Sequence, residues 1–228
     1  MCGRFAFYSP TEATAALFGV TGVPALPPRY NVAPTQDLAA IRRDGEGARE
    51  FVLLRWGLVP FWAKDASIGN RMINARAESV AEKPAYRAAY RQRRCIVLAD
   101  GFYEWCGAAG GKTPYYISAA SGEPFAFAGL WERWLDKGSG EELSTATVVT
   151  CAANDFMARL HHRMPVVLDP AHADVWLAGD SSLIEHAAAL APPLRAWPVT
   201  RRVNNARNEG SDLIEPDGDA MEDDTADG

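Results

Sequence analysis

The sequence predicts an α+β fold: a single domain over residues 1–210 with a mainly antiparallel, barrel-like β core flanked by short helices, followed by an acidic, unstructured tail over 211–228. Three observations predict it. With 228 residues, 48% of them hydrophobic, the chain is long enough for one sizeable core and short for two. Five apolar, β-branched or aromatic runs dominate its middle, and the helical patterns between them are too few for a regular strand-helix-strand alternation. Charge is segregated: the net charge is −6, and Asp217, Asp219, Glu222, Asp223, Asp224 and Asp227 stand in a terminal stretch that has no base. The body is therefore near neutral, and the tail has too little apolar surface to fold.

Taken in order, Ser9-Pro10-Thr11-Glu12 supplies a cap residue, a proline at the first helical position and an acid in the first turn, which predicts a short helix to about Phe18. The prolines between Val23 and Pro28 then force extended chain. Phe51 to Trp56, Cys95 to Ala99, Tyr115 to Ser118, Phe125 to Trp131 and Thr145 to Cys151 read as strands. Ala75 to Arg94 is rich in Ala, Glu and Arg and reads as helical, interrupted at Pro84. Gly107 to Gly111 reads as a hairpin loop, because it lacks both the Lys-Ser/Thr ending of a phosphate loop and dinucleotide-binding spacing. Asp169-Pro170 and Ser182 with Glu185 open two later helices.

Several functional classes lose support. No apolar run reaches the length of a membrane span, and the start has no basic segment followed by a hydrophobic one, so a membrane partner is not expected and the reading is cytoplasmic. Cys2, Cys95, Cys106 and Cys151 are scattered, which argues against disulfides and against a zinc site; His161-His162 has no ligand at metal spacing either. No metal or cofactor is expected. An even acidic surface would argue against nucleic acid, but bases cluster at Arg71, Arg76, Arg87, Arg91, Arg93 and Arg94 and again at Arg201, Arg202 and Arg207. Those clusters read either as a basic surface or as a merely solvated face.

Chemistry points to the start of the chain. Cys2 has a side chain small enough for removal of Met1, which would leave an N-terminal cysteine with an amine of pKa roughly 7.7 to 8 and a thiol near roughly 8.5 on adjacent carbons. Such an aminothiol is a candidate nucleophile: an aldehyde forms a Schiff base with the amine, and the thiol closes a thiazolidine ring. A lone Cys2 is equally well an accident of sequence.

Its company changes that balance. Met1-Cys2-Gly3-Arg4-Phe5 is followed by Arg29 to Pro34 (RYNVAP), Arg55 to Pro60 (RWGLVP), Ile73 to Glu78 (INARAE), Ala99 to Trp105 (ADGFYEW) and His161 to Pro165 (HHRMP). Singly these motifs are weak; together and in this order, from Cys2 to about Asn208, they resemble the SOS-response-associated peptidase family. The resemblance implies a sensor and shield of abasic sites in single-stranded DNA, a covalent crosslink from the N-terminal cysteine to the deoxyribose aldehyde, self-removal of the residue ahead of that cysteine, and reversal of the crosslink. It also implies a monomer that joins the nucleoid on damage.

The candidate catalytic residues are Cys2, Asn74, Glu104 and His161. Asn74 offers an amide to the amine or thiol of Cys2, against its ordinary use as a turn residue. Glu104, between Tyr103 and Trp105 after a strand, would favour its protonated form if partly buried and so serve proton transfer. His161 maps onto the catalytic histidine of the resemblance and could protonate the sugar ring oxygen as it opens; alone, it reads more often as a packed or surface residue. His162 stands where the family often has an acidic or polar residue, which puts its role in doubt. Arg4, Arg76 and Arg163 are carried over as phosphate contacts, the competing reading being an internal salt bridge. Trp62 is a candidate wedge or stacking platform for a base, whereas Trp56, Trp105 and Trp131 fit core packing better. Asn31, with Pro34, is assigned to the DNA-facing loop by the resemblance alone.

Two readings of other classes compete. An N-terminal-nucleophile glutamine amidotransferase also begins Met-Cys-Gly, but Arg4 stands where that class has an apolar residue, and no second synthase domain is evident; ammonia release from glutamine would favour it. A non-catalytic single-strand-binding module explains the arginines and tryptophans but leaves Cys2, Glu104 and His161 without a shared purpose. Equal retention of intact and abasic strands would favour that one.

Overall fold

In the computed structural model of the chain, residues 2–107 and 111–223 are described. Fourteen strands run through them: β1 (Phe5–Phe7), β2 (Arg29–Val32), β3 (Asp37–Arg43), β4 (Arg49–Trp56), β5 (Asn74–Arg76), β6 (Arg94–Ala99), β7 (Gly101–Cys106), β8 (Thr113–Ala119), β9 (Phe125–Leu135), β10 (Glu142–Ala152), β11 (Arg163–Pro165), β12 (Val167–Leu168), β13 (Leu194–Pro198) and β14 (Met221–Glu222). Five short helices punctuate them: α1 (Thr11–Leu17), α2 (Arg87–Gln92), α3 (Asp155–Ala158), α4 (Pro170–Leu177) and α5 (Ser182–Glu185).

The predicted α+β, barrel-like class is what the pairings produce. One sheet closes on itself, because β10 pairs with β4, β4 with β3, β3 with β6, β6 with β9, and β9 with β10 again. All of these contacts are antiparallel except β10 with β4; β5 also joins β10 in parallel. The second sheet, in the order β14-β13-β8-β7-β1-β2, is antiparallel throughout. Strand β6 explains its own centrality: all six residues are buried, so a continuous apolar run suits it better than alternation. Trp176 of α4 donates its indole N–H to the Cys95 carbonyl of this strand (2.9 Å). Asp169 caps α4 as predicted, accepting from the His172 N–H.

Some expectations need correction. Ala75 to Arg94 is not one interrupted helix. Residues 74–76 form β5, 77–79 make a 3-10 turn, and only α2 is α-helical. Pairing of Asn74, Ala75 and Arg76 with Val148, Val149 and Thr150 of β10 overrides a helix-favouring composition. The hairpin read at 107–111 is bracketed by the Cys106 to Thr113 pairing of β7 and β8, but residues 108–110 lie outside the described ones. Of the segment set off as a tail, 211–223 holds a 3-10 turn with fully buried Leu213, and β14 pairs with β13; residues 224–228 lie outside the described ones.

The first strand is set deep. Phe5 packs its ring against Trp56 (centroids 5.2 Å apart) and Phe127 (5.8 Å). Buried Asp100, at the turn between β6 and β7, accepts from the Tyr8 N–H (2.6 Å), the Ser9 N–H (2.9 Å) and the Ser9 hydroxyl. Removing that carboxylate leaves three part-buried donors without their acceptor. Asp100→Ala is expected to lose about 3 kcal/mol of stability, read as a lowered urea midpoint at unchanged slope; a loss below about 1 kcal/mol would show that the clamp is dispensable.

Candidate active site

Cys2 lies three residues before β1 and is fully buried. The Tyr103 N–H donates to the Arg4 carbonyl (3.0 Å), so the pairing of β1 with β7 continues past the strand's end and leads the chain toward Glu104. From the other side, β5 delivers Asn74, whose Nδ2 donates to the Cys2 carbonyl (2.7 Å). The Asn74 Oδ1 is buried and accepts no bond among the described residues. Tyr86, at the start of α2, steadies the same residue by donating its hydroxyl to the Asn74 carbonyl (3.2 Å).

Glu104 is buried on β7, and its charge acts on both the Cys2 thiol and the His161 ring, which places the three groups within one electrostatic neighbourhood. Burial pushes the Cys2 thiol well above its ordinary range, and the Glu104 carboxylate adds to the effect. At neutral pH the sulfur is therefore a thiol, not a thiolate. His161 moves the other way: burial lowers its pKa, with Glu104 opposing. Its Nδ1 lies 3.0 Å from the Arg163 nitrogen and 3.1 Å from the Arg163 carbonyl oxygen, so the backbone of Arg163 holds the ring in either neutral tautomer. His162 is exposed and stacks on His161, ring centroids 4.3 Å apart.

The residues carried over for DNA divide into two groups. Arg76 and Trp62 are exposed; Trp62 and its neighbour Phe61 form an aromatic pair, 50% and 58% accessible, at the tip of the loop after β4. This loop leaves through Gly57 at φ +126°, where a Cβ would lie 2.5 Å from the Gly69 carbonyl oxygen, so only glycine fits. Arg163, Arg4 and Asn31 are engaged within the protein. Buried Arg163 binds Glu78 through both guanidinium nitrogens and donates to the Thr150 carbonyl (2.7 Å), the internal salt bridge weighed against a phosphate contact. Arg4 donates to the Asn31 Oδ1 and the Val203 carbonyl, both at 2.8 Å. Asn31 is completely buried, and its Nδ2 serves the carbonyls of Asn205 (3.0 Å) and Asn208 (2.9 Å).

Of the tryptophans assigned to packing, Trp56 is fully buried. Trp105 and Trp131 are half-buried, the first donating to the Asn204 Oδ1 (2.7 Å), the second covered by the Arg42 guanidinium at 3.9 Å. Glu78 was overlooked in the sequence although it closes the INARAE motif; a carboxylate two residues from a presumed phosphate ligand was the available signal. Among the described residues no group of three His, Cys, Asp or Glu is placed to hold a metal ion, and no helix is long and apolar enough to cross a membrane. A cavity of about 540 Å³ lies beyond Glu78, lined by Tyr90, Cys151 and Ile184 among others. It includes none of Cys2, Asn74, Glu104 and His161, so size does not mark the chemistry here.

The model of the SOS response associated peptidase (SRAP) family matches residues 1–206. The abasic site processing protein YoaM of Bacillus subtilis (strain 168) is 40% identical over 224 residues, covering 94% of this chain and 98% of its own. The abasic site processing protein YedK of Escherichia coli (strain K12) is 33% identical over 229 residues, covering 95% and 100%. A crystal structure of a Bacteroides thetaiotaomicron protein superposes with a TM-score of 0.81 at 27% identity, over 94% of this chain and 99% of that one.

Proposed function

Since the chain belongs to the SOS response associated peptidase family, we propose that it processes abasic sites, and that it does so in single-stranded DNA by capturing the ring-opened sugar on Cys2. After Met1 leaves, by self-cleavage or otherwise, the α-amine of Cys2 attacks the C1′ aldehyde, and the resulting carbinolamine loses water to give an imine. The thiol sulfur then adds to the imine carbon while the nitrogen takes up a proton, closing a thiazolidine. Aldehyde and aminothiol thus give crosslink plus one water, with no change of oxidation state. The amine acts first, and the thiol needs a base only at ring closure.

Support comes from one observation above the rest: the Asn74 amide is bonded to the Cys2 carbonyl while Glu104 acts electrostatically on both the thiol and His161. In this reading Asn74 fixes the aminothiol, Glu104 moves protons through carbinolamine dehydration, and His161 in its neutral form assists ring opening and reversal. Exposed Arg76 and Trp62 take a phosphate and a base face. The protein acts as a monomer in the cytoplasm, on the nucleoid after damage. Incubation with an abasic oligonucleotide followed by a denaturing gel tests the whole: a shifted covalent band should appear and vanish in Cys2→Ala, and a wild-type lane without the band would overturn the proposal.

The lowered pKa of His161 has a signed consequence. The neutral ring persists below the usual transition near about 6.5, so a step that uses neutral His161 should hold its rate through that pH and decline only in more acid solution. His161→Gln should remove that acid limb. A limb centred above about 6.5 in the pH profile of crosslink reversal would contradict the assignment.

A further inference from the structure

The second basic cluster of the sequence sits on a strap that the chemistry above does not use. Residues 201–208 begin as a 3-10 turn (Arg201–Asn204) and cross the face of the second sheet, where Val203 is fully buried against Ala6, Tyr103 and Tyr116. The strap is tied down from both flanks of the candidate site. Arg4, two residues from Cys2, donates to the Val203 carbonyl, and Trp105, next to Glu104, donates to the Asn204 side chain. Asn31 spends its buried amide on the Asn205 and Asn208 carbonyls, and Asn208 donates to the Arg202 carbonyl (2.7 Å). The backbone of the strap is thus fixed by side chains from the segments that carry the candidate site, on the face of the sheet lined by Ala6, Tyr103 and Tyr116.

Its charges are not equivalent. Arg202 pairs with Asp212, and neighbouring Arg29 pairs with Glu209 (2.9 Å). Arg201 and Arg207 are exposed, and among the described residues neither has a carboxylate partner. In a chain of net charge −6, two guanidinium groups without a carboxylate partner, held on a strap tied to the strands that carry the site, are an anion-binding rim already in place. We propose that Arg201 and Arg207 bind phosphates of the DNA strand that carries the lesion, making the strap a second, sequence-independent contact tied to the strands that carry the site. The inference rests on the abasic-site reading for its ligand, yet it concerns the phosphodiester backbone and not the aldehyde.

Measuring Kd for an intact single-stranded oligonucleotide and for its abasic counterpart, at several salt concentrations, tests it. Each phosphate contact to a single strand contributes about 0.7 to the slope of log K against log salt. Arg201→Gln with Arg207→Gln should therefore flatten the slope by about 1.4 on both strands, and Arg201→Lys with Arg207→Lys should restore most of it by restoring the charge. Both positions are exposed, and each single variant should flatten the slope by about half as much, which provides a reading should the double variant fold poorly. An unchanged slope, with wild-type protein that binds the strands, overturns the strap proposal and leaves the capture reading standing. A flattened slope on the intact strand, with no covalent band on the abasic one, supports the strap while the capture reading falls.

Discussion

A chain that keeps any residue ahead of Cys2 is expected to give no covalent band with an abasic strand, a complete loss instead of a slowing. The reason is electronic. A free α-amine titrates near about 8 and is partly unprotonated at neutral pH, whereas the nitrogen of a peptide bond has its lone pair drawn into the carbonyl and does not attack an aldehyde. The thiol offers no detour: it is buried and held in its protonated form, and a hemithioacetal formed by sulfur alone would revert. Intact mass spectrometry on the same preparations used for the gel identifies which chains have lost Met1. Band intensity should follow the fraction beginning at Cys2; a blocked chain that crosslinks as well as the free one would end the aminothiol mechanism.

Glu104→Gln is expected to slow crosslinking by about 10²- to 10⁴-fold, the range that a positioned proton-transfer group supplies. The amide keeps the size and much of the polarity of the carboxylate in its buried place on β7, so the local packing survives. What it loses is the ability to accept a proton when the carbinolamine expels water or the thiol adds. It also removes a negative charge that keeps the Cys2 sulfur protonated, an effect that by itself would favour the thiolate. Single-turnover kinetics with saturating protein separate these tendencies, because a net slowing means that proton transfer outweighs the easier ionisation. A rate within about threefold of wild type would remove Glu104 from the chemistry and leave it a structural acid.

Both experiments depend on parts of the molecule that the sequence disclosed unevenly. The five strand segments read from apolar runs correspond to β4, β6, β8, β9 and β10; in β6 and in long stretches of β8, β9 and β10, burial on both faces leaves little choice of residue type, while the half-exposed β4 shows through its apolar residues alone. Strands β1 and β7 were hidden because they carry the site: Gly101-Phe102-Tyr103-Glu104-Trp105-Cys106 includes a buried acid and breaks the expected pattern. The run from Ala75 to Arg94 misled for a different reason. Its composition is that of a helix, while a parallel partnership with β10, some seventy residues away in sequence, decides the backbone of its first residues. Arg163 shows the limit of residue type itself, since a guanidinium suited to phosphate is equally suited to the carboxylate of Glu78, and nothing local says which one it meets.

Chain ends are commonly the most mobile part of a domain. Here the reactive end is spliced into an interior position, because β1 lies between β7 and β2 and is clamped through Asp100. In the proposed reaction the nucleophile therefore inherits the stiffness of that sheet, and the search that a loose terminus would make for a near-attack geometry is completed once, when the protein folds. A cavity opened behind Phe5, for instance at Phe127, would then register as a lost effective molarity of the aminothiol while the fold still stands, making reaction rate a finer gauge of core packing than thermal melting.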